Sequence, residues 1–213
     1  MRETEPLTGT EKDPLIAAII GAEWQMFDKV QNEGGRAACQ NDARTFAIMR
    51  YSQFAPLPQD VLESYRDDLA AAAREGRNLL AEKYAYMMEY TDPATFDRTL
   101  RDHLPAVSAY KQALCARIAN RLIRDEQQFA ARYPALHAQG RPTEGAQADD
   151  VSVHVYALGE LKTYSVRTLE RYDAWLRAHP EENISVSVHR VMVQLYGYDS
   201  LEAAEARQKG ARL

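Results

Sequence analysis

Residues 184–195 read ISVSVHRVMVQL, and the first five of them, Ile184 to Val188, alternate apolar and polar as a half-buried strand would. Followed on through Val191, Met192 and Leu195, the apolar positions return to three- and four-residue spacing, the period of an amphipathic helix. No other stretch alternates convincingly, so reading this one as a helix makes the chain all-α. Outward from it, Gly197 and the Asp199-Ser200 pair punctuate the end of one helix and the start of the next.

The same spacing places helices at about 14–32, 37–54, 59–75, 77–91, 93–103, 107–132, 149–178, 183–196 and 199–208, a single-domain bundle of about eight or nine helices over residues 14–208. Pro14, Pro58 and Pro93 suit first helical turns, and Gly34-Gly35 and Gly76 suit helix ends. The Gly-, Pro- and Ala-rich stretch from about 137 to 150, HAQGRPTEGAQADD, is the one long loop, a linker or a lid. Residues 1–13 mix polar residues with no apolar run, so a disordered tail is expected there and a secretory signal is not.

In 213 residues, 46% are apolar and 27% charged, as in ordinary globular chains, which excludes collagenous and disulfide-framework classes. A net charge of −5 offers no basic surplus for phosphate backbones or anionic lipid, so neither nucleic acid nor membrane is an expected partner. The longest apolar run, Leu15 to Ala22, is far short of the roughly 20 residues that span a bilayer. Cys39 and Cys115 stand apart and outside any CxxC pattern; they read as buried small hydrophobes in a cytoplasmic protein.

Charge falls where it is costly. In PLIAAIIGAEWQMFDKV (14–30), Ile16, Ile19, Ile20, Met26, Phe27 and Val30 share one helix face, and Glu23 sits in its middle. A buried carboxylate must be paired or protonated, and desolvation raises its pKa toward the range useful for proton transfer. In the next helix Asp42 and Gln53 share a face with Ala38, Cys39, Phe46 and Met49, with Arg50 at its edge, so Asp42 reads as a second inward carboxylate. A third helix, apolar nearly all round, carries Asn78, Glu82 and Glu89 on one side, with Arg77 and Lys83 able to hold an anion nearby. In the long helix at 149–178, His154 lies on the inward stripe with Ser165 and Thr168, flanked by Glu160 and Tyr164. The competing reading of each is structural: an ion pair, a solvated stripe or a core histidine.

The runs GRAACQND (35–42), TFAIMRYSQF (45–54), GRNLLAEKYAYMMEYTDP (76–93) and GELKTYS (159–165), together with EWQMF and SYRDDL, resemble a helical family of microbial proteins known as a domain of unknown function. The resemblance spans roughly residues 14–205 and implies one whole-chain domain with no particular chemistry. It implies signature residues at Glu23, Trp24, Arg36, Gln40, Asp42, Arg50, Gln53, Tyr65, Arg77, Asn78, Lys83, Glu89 and Tyr164, a set that overlaps the inward charges.

There is no GxSxG, no phosphate-loop motif, no strand-associated GxGxxG, and neither HExxH nor ExxH. The leading expectation is therefore a cytoplasmic helical enzyme that binds a small anionic metabolite and performs elimination, isomerisation or hydrolysis. Glu23 and Asp42 would serve as acid and base, with Tyr164 and His154 as further proton-transfer groups. Arg50 and Arg77 would grip the anion, and Gln53, Tyr65, Asn78, Lys83, Glu82 and Glu89 would complete the substrate site. The first alternative is a non-catalytic module that binds a ligand or partner, its inward charges fixing helix register. The second is an iron- or manganese-dependent oxidase using Glu23, Asp42, Glu82 or Glu89, and His154. Axial haem ligation by His103, His154 or His189 has no motif that selects it, and the sequence names no metal or other cofactor.

Overall fold

The computed structural model describes residues 10–31, 34–145 and 151–210, all helical or loop, with no strand among them. The expected tail at 1–9 and the loop residues 146–150 lie outside the described residues. Among the described residues there are eleven α-helices: α1 (Asp13–Phe27), α2 (Ala43–Phe54), α3 (Gln59–Arg74), α4 (Leu79–Thr91), α5 (Pro93–Thr95), α6 (Ala109–Arg132), α7 (Pro134–His137), α8 (Val153–Leu161), α9 (Val166–Ala178), α10 (Ile184–Leu195) and α11 (Leu201–Gly210). The alternating run at 184–188 is the first turn of α10, so the helical spacing of its continuation decided its conformation.

The expectation of eight or nine helices is corrected to eleven, chiefly because 149–178 is two helices. The chain turns at Lys162–Ser165, where the Ser165 hydroxyl accepts the Thr168 N–H at 3.2 Å and starts α9. The short α7 is the other addition. Most of the longer helices start on a similar cap: Asp42, Asn78, Ser108, Ser152 and Asn183 each accept a backbone N–H from the first turn they precede. The expected tail also yields its last residue to structure. Asp13 opens α1, is buried, and accepts the Tyr51 hydroxyl at 2.6 Å.

Two halves pack along one seam. In the first, α1 lies against α2, α3 and α4; in the second, the 24-residue α6 carries α7, α8, α9 and α10 around it. Three helix pairs, α4 with α8, α2 with α10 and α3 with α9, join the halves. At the α4–α8 crossing stands Gly159. A Cβ there would lie 2.5 Å from Met87 Cγ and 2.8 Å from the Lys83 carbonyl oxygen, so only glycine lets the two backbones come this close. The main core runs through the seam, from Ile16 and Ile19 on α1 to Leu62 and Leu69 on α3, Ile118 on α6 and Leu169 on α9. Among the described residues no helix is long and apolar enough to cross a membrane.

Candidate functional site

Four charged side chains from four helices meet at the seam. Glu23 is fully buried, as its place on the apolar face of α1 requires, and its carboxylate accepts from Arg50 Nε at 2.7 Å and Nη2 at 2.5 Å. The Tyr65 hydroxyl adds a third bond to Glu23 at 2.7 Å. Arg50, on the buried side of α2, turns the rest of its guanidinium to Glu160 on α8, with Nη1 and Nη2 at 3.0 and 2.9 Å from its two oxygens. The ammonium of Lys83, 2% exposed on α4, donates to the same carboxylate at 2.6 Å, and the Tyr164 hydroxyl donates to it at 2.9 Å. Gln53, one turn beyond Arg50, accepts from Arg50 Nη1 at 2.5 Å.

Two carboxylates and two cations sum to zero, which is what makes their burial tolerable. Each ion gives up several kcal/mol of hydration, recovered only if the partners and their hydrogen bonds are complete. Burial pushes the Glu160 carboxyl upward, but Arg50 and Lys83 outweigh it and hold the group well below the usual carboxylate range. Burial also carries the Tyr65 and Tyr164 hydroxyls well above the usual phenol range, so both remain donors. The aromatic surroundings fit the charges: Arg50 lies over the Phe54 ring at 4.6 Å and Lys83 Nζ over the Tyr156 ring at 3.5 Å.

Beside this network a cavity of about 520 Å³ opens between α2, α4, α6, α8 and α10. Its wall is mostly apolar, built by Phe46, Met49, Leu80, Leu122, Val188 and Met192 among others, and interrupted by Arg50, Gln53, Lys83, Glu160 and Tyr164. The volume lies within the range usual for ligand-sized clefts. Arg141, in the loop before α8, reaches the mouth and lies 5.1 Å from the Tyr156 ring. Glu126, His137 and His189 bring a second polar set to the same wall.

Of the residues singled out in the sequence, the structure joins Glu23, Arg50, Gln53, Tyr65, Lys83 and Tyr164 in one network. Glu23 does not line the cavity; Arg50 stands there and Glu23 braces it. Asp42 lines the cavity, but it is exposed where burial was expected: it is the N-cap of α2 and accepts the Thr45 N–H at 2.9 Å, a bond that lowers its pKa. A 3₁₀ turn at Ala38–Asn41 precedes it, so a 100° helical projection does not carry across the junction. His154, expected on the inward stripe, is half-buried in α8 and does not line the cavity. Cys115 is buried, but Cys39 is exposed.

The remaining four candidates hold other parts of the fold. Arg77 makes a two-bond pair with Glu82 at 2.8 and 2.7 Å. Asn78 caps α4 and donates to the Met26 carbonyl at 2.7 Å, tying α4 to α1. Glu89 pairs with Lys162, which is buried in the turn after α8. Among the described residues no three His, Cys, Asp or Glu side chains are grouped to hold a metal ion, so the set Glu23, Asp42, Glu82, Glu89 and His154 does not form a centre. Sequence reasoning left Glu160 out of the site. The signal was in GELKTYS, where Glu160 stands four residues before Tyr164 and next to the glycine of the crossing.

Fold and site together define a class: all-helical proteins whose two halves close on a neutral charge network beside a largely apolar cavity. Within that class the chain belongs to the family described as Protein of unknown function (DUF4125), whose profile covers residues 13–206. No curated protein and no solved structure matches it.

Proposed function

We propose that the protein is a small-molecule enzyme whose cavity takes a largely apolar metabolite bearing one polar or anionic group, and whose chemistry is proton transfer. The observation that carries this reading is the cavity: apolar walls of the right volume, with Lys83, Gln53 and Tyr164 converging on one side. Arg50 and Lys83 already share Glu160, so a ligand carboxylate meets them only beside a carboxylate that holds both. A polyanion is disfavoured for that reason, and a single polar or anionic group near Lys83 and Arg141 suits the site better. His154 has no part in this reading, Asp42 stands at the cavity with its carboxylate engaged as the cap of α2, and Glu23 becomes the residue that positions Arg50.

The test is native mass spectrometry of freshly purified protein, followed by a thermal-shift screen of small organic acids and ketones. A ligand at about 100 times its Kd adds roughly 2.7 kcal/mol to stability, a shift of several degrees. Ala157 lines the cavity on α8, and the variant Ala157→Trp fills the space. A retained or stabilising molecule that the filled variant no longer binds supports the reading. Equal binding by both proteins refutes it.

A further inference from the structure

His189 on α10 lines the cavity. Its ring is stacked on Phe129, with centroids 3.8 Å apart and planes 15° from parallel. Its Nδ1 stands 2.8 Å from the Ser185 carbonyl oxygen. A carbonyl oxygen only accepts, so Nδ1 carries the proton in this contact and the neutral ring keeps its lone pair on Nε2. Stacking and the hydrogen bond fix both ring plane and tautomer, the two conditions for an oriented base. Glu126 from α6 and His137 from α7 line the same wall, with His137 Nε2 3.7 Å from Glu126 Oε1 and 3.0 Å from Thr143 Oγ1.

We propose that His189 is the general base of the cavity: its Nε2 takes a proton from a bound, largely apolar organic molecule, and the Glu126 carboxylate offsets the imidazolium that results. In an isomerisation the proton returns to another atom of the same molecule; in an elimination it leaves to solvent after the leaving group departs. Neither route consumes an oxidant or a reductant. Burial lowers the pKa of His189, which keeps the ring unprotonated between turnovers. The assignment rests on the cavity being a ligand site, as proposed above.

The probe is 5-nitrobenzisoxazole, an uncharged aromatic molecule small enough for the cavity. A base removes its C3 proton, the C–H electron pair becomes part of a nitrile, the N–O bond breaks and a coloured phenolate leaves. The wild-type protein is expected to exceed an equal concentration of free imidazole by about 100-fold. His189→Gln should lose that excess, His154→Gln, outside the cavity wall, should retain it, and Ala157→Trp should lose it by exclusion. Circular dichroism checks the folding of each variant, and saturation-transfer NMR reports whether the probe is bound. Probe binding without turnover, or turnover that survives in folded His189→Gln, overturns the base assignment and leaves the cavity reading standing. A probe that neither binds nor reacts overturns both.

Discussion

Arg50 is the residue on which the site turns, since among the described residues it bonds to both seam carboxylates, buried Glu23 and half-buried Glu160. Glu23 therefore acts through Arg50. The substitution Glu23→Gln keeps the shape and removes the charge, leaving the cluster with one uncompensated cation. It should cost about 3 kcal/mol, read as a lower urea midpoint at an unchanged slope. A midpoint equal to wild type would mean that Glu23 is not holding the guanidinium. Glu160 gives a prediction in pH. Its folded-state pKa is depressed, so the unfolded chain binds more protons through the acid range and stability rises with pH there. Its contribution is complete above about pH 5 and is lost as pH falls through the ordinary carboxylate value of about 4.3 toward the folded-state one. Urea unfolding from about pH 3 to 7 should show that loss in wild type and a flatter acid limb in Glu160→Gln.

At the scale of the element, the α4–α8 crossing sets Gly159 apart from a glycine that has open space around it. Gly159→Ala gains helix propensity, but its Cβ meets the Lys83 carbonyl, a backbone atom that cannot swing aside. The clash outweighs the gain, with an expected net loss of about 1–3 kcal/mol. Gly21, in the middle of α1, has open space at the same atom, and Gly21→Ala should stabilise by about 0.5–1 kcal/mol. Calorimetry on the pair decides it; equal signs would remove the close crossing as the cause. The same scale shows what was legible. Helical spacing, prolines and glycines place nearly every element, and Glu23 was found by its position on an unbroken helix. Asp42 and the turn at Lys162–Ser165 were not legible by periodicity, because each lies where one helix stops and another starts. There a side chain bonded to the backbone, not a stripe of apolar residues, sets the direction of the chain. The cap residues are visible in the sequence, but a Ser or Asp reads alike as an inward polar group and as a cap until the break is known.

For the whole molecule, the site exists only when both halves are docked: Glu23, Arg50 and Lys83 come from the first and Glu160 and Tyr164 from the second. Cleavage at the exposed Glu144, in the loop between α7 and α8, should leave the two pieces associated, since α8, α9 and α10 pack across the seam. Size-exclusion chromatography should show one species until denaturant is added, and the isolated piece from residue 145 onward should show little helix by circular dichroism. Two separately folded pieces would mean that the seam is not integral to the fold. The zero sum of the four seam charges has a consequence for descent. Losing any one of them leaves an unmatched charge at a largely buried seam, whereas losing an opposite pair does not. Across related chains, positions 23 and 50, and positions 83 and 160, should therefore be inherited and replaced as pairs, with lone replacements rare.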